Sequence, residues 1–458
     1  MDYSKYLAWD DQLEKIKDLT LLNIDAIVKI TTENPVVILR DWQGFLHLCL
    51  PCEPVTAVAA GLTDFVRDFH KALKGAAWES TANELELSEI KTLDELAVFK
   101  CDATDGSDIW LSPDLVKVTS HISVLDRQDK DQEWLRSDLS PSSSETKRVV
   151  FYGVKGGVGR STAISGLALR LGELGKSVLV IDLDLESPGI SSSLLGSDLL
   201  PDFGVVDWLT ANAMGVPTKE MEDGLMVETS PLSRLTQAKI HVAPSFGSQT
   251  QSYVRKLGRV FRPNSLGEPY SVRIDRLISS LEKQYKSDVT LIDCRAGIDD
   301  TSAVALTHLN ADLVLLFAIN TTQTWNAYQI LFKHLMDHPS VHNANDFRYK
   351  LQLISALTPD VAVAPNYYEN MCGRAYDLME CLYDEVEPPS AQDAEEDAAA
   401  FYFSGEEKRA PHIPWRIMWD EALRAFDPVK QYEHLSVNLR QKIFGEFTDE
   451  IMHTLFED

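Results

Sequence analysis

A glycine-rich turn between an apolar strand and a helix is the feature that most constrains the fold of this chain. It lies in FYGVKGGVGRSTA, residues 151–163. RVVFYGV (148–154) is an apolar, β-branched and aromatic run that is typical of a buried strand. Residues 160–175 carry apolar side chains at helical spacing and end at a capping Gly175. SVLVID (177–182) again indicates a buried strand, so the pattern predicts a βαβ unit of a parallel sheet.

The loop has the composition of an anion-binding site. Gly156, Gly157 and Gly159 allow consecutive backbone N–H groups to point inward at the helix N-terminus, where a di- or triphosphate fits best. The hydroxyl of Ser161 or Thr162, in the first helical turn, can hold Mg²⁺. An ordinary strand-to-helix turn is the alternative, and it is disfavoured because strand, glycines, hydroxyl pair and helix occur together. The dinucleotide fingerprint G-x-G-x-x-G is not met, since its third glycine is absent.

Two further strands end in aspartates. VLVIDLDLESPG (178–189) contains Asp182 and Asp184 at the end of a buried strand, and DVTLIDCRAGIDD (288–300) contains Asp293. Ligands of open α/β sheets bind at the carboxyl ends of the strands. These aspartates are therefore predicted to lie beside the glycine loop.

In this order the three motifs resemble the ParA/MinD family of deviant P-loop ATPases. KGGVGRST (155–162) is similar to the family loop KGGxGK[ST][ST], and the two aspartate segments are similar to its first switch and to its Walker B strand with the second switch. The resemblance covers about residues 148–360 and could extend to the C-terminus. It implies an α/β fold, a doubly wound and mostly parallel sheet of the P-loop NTPase type, with ATP and Mg²⁺ as cofactors and ATP hydrolysis as the activity.

The resemblance also implies residue roles. Lys155 would reach across a dimer interface to the partner's nucleotide, Asp184 would orient the attacking water, and Asp293 would belong to the same catalytic set. Magnesium would be held by Ser161, Asp182 and Asp293. The nucleotide would be bound by Gly156, Gly157, Val158, Gly159, Arg160, Ser161 and Thr162. Catalysis would consist of positioning and of charge neutralisation on the transferred phosphoryl group.

Arg160 stands where the family loop has its second lysine. Arginine keeps the charge and donates bidentately to phosphate, but its planar fork is not a compact point charge. We therefore expect ATP binding with slow hydrolysis. A regulatory sensor or scaffold without turnover is the alternative, and a cytosolic tyrosine kinase is disfavoured because no tyrosine-rich tail is present.

Arg295, where the family usually has proline, is expected to pair with Asp299 or Asp300; a charge aimed at the γ-phosphate or the dimer partner is the other possibility.

Composition along the chain predicts its domains. A smaller α/β or α+β domain is expected at 1–136, a linker at 137–147 and the ATPase domain at 148–458, with an acidic surface insertion at 384–408. Within the first domain the patterns predict a hairpin of strands at 36–40 and 45–50 and an amphipathic helix at 62–74.

The charge balance limits the partners. With 43 basic and 70 acidic residues the formal net charge is -27, which disfavours general binding to nucleic acid or anionic membranes. The basic cluster at 253–276 is interpreted as a solvated helix face or a contact for the acidic insertion, with nucleic-acid binding as the alternative. The C-terminal stripe is predicted to pack on the domain core and not on a membrane, because acidic residues occupy its polar side; it consists of Phe444, Phe447, Ile451 and Leu455.

The localisation is predicted from sequence features that the chain lacks, and the partners are predicted from the resemblance. No run of about 18 apolar residues and no basic leader is present, and six cysteines are too few for a disulfide scaffold, so a cytoplasmic protein is expected. Cys49 and Cys52 are interpreted as structural, since a lone C-x-x-C lacks a second ligand pair. The expected partners are a second copy of the chain, bound through nucleotide, and a protein of unknown identity. Partition, division-site placement and a bacterial defence operon stay open as pathways.

Overall fold

Two β-sheets organise the chain into two units, Met1–Asp129 and Lys130–Asp458. The computed structural model describes residues 9–32, 34–40, 46–52, 54–72, 98–99, 116–117, 119–126, 133, 145–196, 198–261, 263–264, 268–336, 341, 346–384, 400–424 and 426–456.

The first unit has a five-stranded mixed sheet in the order β3-β2-β1-β5-β4. Its elements are α1 Trp9–Leu22, α2 Ile24–Ile30, β1 Val36–Arg40, β2 Leu46–Leu50, α3 Pro54–Ala60, α4 Thr63–Ala72, β3 Val98–Phe99, β4 Val116–Lys117 and β5 Ile122–Asp126. β1 and β2 are antiparallel, with Ile38 opposite Leu48, and β1 runs parallel to β5. The predicted pair of strands and the amphipathic helix are confirmed. Residues 41–45 and 73–74 lie outside the described residues.

The second unit is built on an eight-stranded sheet in the order β13-β12-β11-β6-β10-β7-β9-β8. Its strands are β6 Lys147–Tyr152, β7 Val178–Leu183, β8 Glu228–Thr229, β9 Ile240–Ala243, β10 Val289–Cys294, β11 Leu313–Ala318, β12 Leu351–Thr358 and β13 Trp415–Met418. All neighbours are parallel except β8, which is antiparallel to β9. The strand that precedes the glycine loop, β6, lies between β10 and β11, so the sheet is wound in both directions from it.

The α-helices of this unit connect the strands and cover the sheet. They are α5 Arg160–Glu173, α6 Ile190–Leu195, α7 Val205–Ala213, α8 Tyr253–Leu257, α9 Tyr270–Tyr285, α10 Asp300–Thr307, α11 Thr322–Met336, α12 Tyr367–Met379, α13 Pro428–Gln431 and α14 Val437–Phe456. The alternation along β6 shows why both faces need cover. Val149 and Phe151 belong to one core cluster, whereas Val150 and Tyr152 belong to the cluster on the opposite face. The predicted fold class, a doubly wound P-loop NTPase sheet preceded by a smaller mixed unit, is confirmed.

The C-terminal stripe packs as predicted. Phe444, Phe447, Ile451 and Leu455 on α14 are buried in the cluster that also contains Phe151, and α14 contacts β13 and α5. The apolar face of α14 is therefore covered by its own domain.

Some boundaries differ from the predicted ones. Lys147, predicted as the last linker residue, is the first residue of β6, and its N–H donates to the carbonyl of Asp288 at 3.0 Å. Glu133 lies in the second unit, where its N–H donates to the Asp300 carboxylate at 3.1 Å. Residues 137–144 lie outside the described residues, so the predicted linker stays a prediction.

The predicted acidic insertion at 384–408 is not a surface segment throughout. The carboxylate of Asp384 pairs with the fully buried Arg348 at 2.6 Å, and the N–H of Phe401 donates to the same carboxylate at 2.8 Å. Phe401 is buried, which corrects the assignment of the whole segment 384–408 to the surface. Residues 385–399 lie outside the described residues, and 404–408 are exposed.

The predicted basic face at 253–276 is solvated only in part: Arg255, Arg259 and Arg276 are exposed, but not every cation of the cluster is. Arg273 is fully buried and donates to two backbone carbonyls and an amide side chain. Lys256 and Arg276 each pair with a carboxylate. Arg262 lies outside the described residues. The alternation of the helix thus places part of this charge inside the domain, and the nucleic-acid alternative loses those cations.

Candidate functional site

The glycine loop connects the end of β6 to the start of α5. Gly157 has φ 74° and Gly159, the residue before α5, has φ 82°. This left-handed backbone is accessible to glycine without a steric penalty. A Cβ at Gly157 would meet no atom within 4 Å, so the loop leaves open space beside it.

The backbone N–H groups of the loop are available to a ligand. Within the described part of the chain, those of Gly156, Gly157, Val158 and Gly159 donate no hydrogen bond. Gly156 and Gly157 are exposed, so a ligand can reach their N–H groups, and a row of unpaired donors at a helix N-terminus attracts an anion. The loop therefore has the geometry of a phosphate cradle.

Three carboxyl groups lie beside the loop. Asp182 on β7 and Asp293 on β10 are register partners on neighbouring parallel strands, and Asp184 follows β7. All three are buried. Burial is the largest cause that raises the pKa of Asp182 to about 7 and that of Asp293 to about 8, and it also raises the pKa of Asp184. The cluster is thus short of positive charge.

Asp182 holds the first switch in place. Its carboxylate accepts hydrogen bonds from the hydroxyl and the N–H of Ser191 and from the N–H of Asp184. Asp184 in turn accepts from the N–H of Ser187 at 3.2 Å. The backbone from 184 to 191 is therefore folded around the Asp182 carboxylate.

One carboxylate oxygen of Asp293 has no hydrogen-bond partner among the described residues. Its Oδ2 accepts a hydrogen bond from Ser161 Oγ at 3.3 Å, whereas Oδ1 is buried and has no hydrogen-bond partner among the described residues. Such an atom normally has a partner, which can be an ion or a water. Ser161 and Asp293 supply the oxygen ligands that Mg²⁺ prefers, so these residues fit the metal. Within the described residues, however, no three acidic, histidine or cysteine side chains form a ready-made metal site.

Arg160 points into the carboxylate cluster. Its guanidinium is 8% exposed; Nη2 lies 3.2 Å from Asp184 Oδ2, and Nη1 donates to the carbonyl of Cys294. This cation therefore joins the carboxyl ends of β7 and β10. Its charge acts to lower the pKa of Asp184 and Asp293, but burial has the larger effect, so both pKa values stay raised.

A second arginine joins the two switch segments. Arg295 pairs with Glu186 at 2.7 Å and with Asp299 at 3.2 Å. The expected pairing with Asp299 is thus present, and the partner in the first switch was not foreseen. Tyr253, at the start of α8, also donates its hydroxyl to the carbonyl of Leu185.

A cavity of about 370 Å³ opens beside the loop. Leu357 and the half-exposed Trp419 form part of its wall, opposite Gly159 and Thr162. Leu357 has φ 52°, a strained conformation for a leucine, and its side chain would lie 3.4 Å from a Cβ at Gly159. Such a mostly apolar cleft is the kind of pocket that holds a flat ring system. Trp419 was not predicted because β13, which leads into it, was not recognised from the sequence.

The structure thus brings most of the predicted site together. Asp182, Asp184 and Asp293 lie beside the loop with Arg160 and Ser161, and Thr162 lines the adjoining cavity. Val158 is buried and lines the same cavity. Lys155 is exposed and forms no ion pair with a described residue. Cys49 and Cys52, far from this site in the sequence, form no disulfide.

A parallel sheet, a glycine loop that opens onto a helix, and aspartates on the adjacent strands define a P-loop NTPase domain. Residues 146–196 match the family model "Cellulose biosynthesis protein BcsQ". This match spans the loop, α5, β7 and the first switch. A search of curated proteins gives no significant match.

Solved structures similar to this chain include members of the ParA/MinD family. An ATP complex of a variant McdA from Cyanothece is 14% identical, covers 68% of this chain and 97% of its own, and has a TM-score of 0.41. A ParA family ATPase from Chlorobium tepidum TLS is 16% identical, covers 67% and 99%, and has a TM-score of 0.41. The cell division ATPase MinD from Pyrococcus furiosus is 19% identical, covers 67% and 98%, and has a TM-score of 0.40. The chain is thus similar to proteins of the family that its motifs resemble, and the ligands and activities named for those proteins are properties of those proteins.

No helix among the described residues is long and apolar enough to cross a bilayer.

Proposed function

We propose that this chain is an ATP-binding switch of the ParA/MinD type that hydrolyses ATP slowly. The observation that carries the proposal is the row of unpaired N–H groups from Gly156 to Gly159, beside three buried carboxyl groups. The loop would bind the phosphates, and the cavity walled by Leu357 and Trp419 would hold the adenine.

Magnesium would be held by Ser161 Oγ and by the open Oδ1 of Asp293, together with the phosphates. The ion would neutralise charge on the transferred phosphoryl group. Asp182 accepts three hydrogen bonds already, so we assign it a supporting role: it fixes the first switch and adds negative charge near the metal.

Asp184 would orient the attacking water. In this structure the carboxylate is paired with Arg160, so it would become available only when the guanidinium moves. A longer, planar cation in place of a lysine positions phosphate less tightly, which accounts for slow turnover. The same pairing favours a second candidate function, an ATP sensor without turnover.

Dimerisation would depend on Lys155. This lysine is exposed and has no ion-pair partner among the described residues, so its charge is available to a phosphate on another copy. Two copies with a net charge of -27 repel each other at long range, so the contact must be local and cationic. Bridging nucleotide with Mg²⁺ would supply it, and the paired surface would recruit a protein partner.

Sedimentation velocity tests this switch. We expect the wild-type chain to dimerise in Mg·ATP and to dimerise more weakly in ADP or without nucleotide. Lys155→Ala should stay monomeric in ATP, whereas Lys408→Ala, which removes an exposed lysine far along the chain, should dimerise like wild type.

Phosphate release is measured on the same samples. Slow release by wild type supports the hydrolysing switch, and an ATP-dependent dimer without release supports the sensor. A wild-type chain that stays monomeric in ATP, or a Lys155→Ala variant that dimerises fully, contradicts the nucleotide-bridged dimer.

A further inference from the structure

Arg160 occupies the position where a cation is needed most. Its guanidinium bridges the carboxylate of Asp184 after β7 and the carbonyl of Cys294 at the end of β10. Both groups lie next to the residues that would bind metal. The side chain is buried, and its described hydrogen bonds go to Asp184 and to the Cys294 carbonyl.

The charge count around this arginine is unequal. Asp182, Asp184 and Asp293 are buried within electrostatic reach of one another, and Arg160 is the nearest cation that acts on Asp293. A cation within a few ångströms of a carboxylate lowers its attraction for any second cation. While Arg160 is in place, Asp184 is also turned towards the guanidinium, and the described acidic residues form no complete metal site.

We propose that Arg160 is the internal counter-ion of this cluster and excludes divalent cations until a nucleotide phosphate draws its guanidinium away. This inference rests on the proposed function and deepens it, because it makes metal binding follow nucleotide binding. The geometry depends on arginine: its fork reaches Asp184 and the Cys294 carbonyl together, which the single ammonium of a lysine would do less well.

The second observation that supports a latent cation site is the open oxygen of Asp293. Oδ1 is buried and has no hydrogen-bond partner among the described residues, although Arg160 lies nearby. Removing the guanidinium should leave Asp293 and Asp184 both free to coordinate, with the hydroxyl of Ser161 already bonded to Asp293. The site should then take a hard divalent cation without nucleotide.

Mn²⁺ binding without nucleotide tests this directly. Free Mn²⁺ is measured by electron paramagnetic resonance during titration of wild type, Arg160→Gln and the double variant Arg160→Gln/Asp293→Asn. We expect Arg160→Gln to bind one Mn²⁺ ion at this site with a dissociation constant at least about tenfold lower than that of wild type. This factor corresponds to the effect of one adjacent charge on an ionisable group. The double variant should lose that site.

Arg295→Gln is the matched control, because Arg295 pairs with Glu186 and Asp299 and forms no ion pair with the three carboxyl groups of the cluster among the described residues. It should bind Mn²⁺ like wild type. Equal Mn²⁺ binding by wild type and Arg160→Gln, with folding verified by circular dichroism, would overturn the proposal. Should Arg160→Gln not fold, wild type still decides: nucleotide-free Mn²⁺ binding that Asp293→Asn abolishes contradicts the proposal, and its absence supports it. Because no ATP is present, these results are independent of whether the chain binds ATP.

Discussion

Asp293 carries a buried carboxyl group whose protonation is tied to folding. Burial raises its pKa to about 8, above the ordinary value near 4, so the folded chain holds this proton more tightly than the unfolded chain. The stabilising contribution is complete below the unfolded pKa and is lost as pH rises through about 8. Each unit of raised pKa corresponds to about 1.4 kcal/mol.

Replacing Asp293 by asparagine should therefore remove a pH dependence. In chelator and without nucleotide, we expect Asp293→Asn to melt at a higher temperature than wild type at pH 8 and to lose most of that advantage at pH 5. Thermal unfolding at several pH values measures the difference. Asp198→Asn, at an exposed position, serves as control and should show no such trend. A difference between Asp293→Asn and wild type that is constant with pH would contradict the raised pKa.

At this scale the sequence predicted residue types better than side-chain directions. Gly157 and Gly159 were identifiable because the loop needs positive φ, and the three aspartates because they end buried strands. The direction of Arg160 could not be predicted, since a cation between a phosphate loop and a carboxylate cluster has two possible partners.

The packing around a helix decides whether a glycine within it can be replaced by a larger residue, as α5 and α12 show. A Cβ at Gly166 would lie 3.2 Å from the ring of Phe444 on α14, and that ring is buried in the core. On α12, by contrast, a Cβ at Gly373 would meet no atom within 4 Å, and the position is exposed. The two glycines thus differ in packing while both lie within helices.

Alanine at these two positions should have opposite effects. Gly373→Ala should raise the melting temperature, because alanine in an exposed helix is favoured over glycine by about 0.5–1 kcal/mol. Gly166→Ala should lower it, because overpacking displaces Phe444 or α5 and typically costs about 1–3 kcal/mol. Thermal unfolding of both variants checks this. A stabilised Gly166→Ala variant would mean that α5 and α14 are not packed as described.

Element prediction succeeded where the apolar runs are long. β6, β7 and β10 were expected within one or two residues of their observed bounds, because each is a continuous buried run between breakers. The short β8, β9 and β13 were missed, since runs of two to four residues carry little periodicity. The cavity walled by Leu357 and Trp419 depends on β13 and could therefore not be predicted from the sequence.

At the scale of the whole molecule, the net negative charge opposes the binding of an anionic nucleotide at the proposed site. A net charge of -27 would repel ATP if it were spread evenly, so binding must rely on local donors. Under the proposed function the loop N–H groups would supply them, and helix α5 would add its positive N-terminal end. The central claim is therefore that this loop binds Mg·ATP.

Calorimetric titration of Mg·ATP into three matched proteins tests that claim most directly. Gly157 (φ 74°) and Gly196 (φ 73°) both have positive φ, and a Cβ at either meets no atom within 4 Å; with ψ -178° at Gly196, alanine is strained at that position too. We expect wild type and Gly196→Ala to bind ATP alike, and Gly157→Ala to bind at least about tenfold more weakly, since a left-handed alanine costs about 1–2 kcal/mol in the binding conformation. No binding by wild type, or equal affinity in Gly157→Ala and Gly196→Ala, would contradict the account.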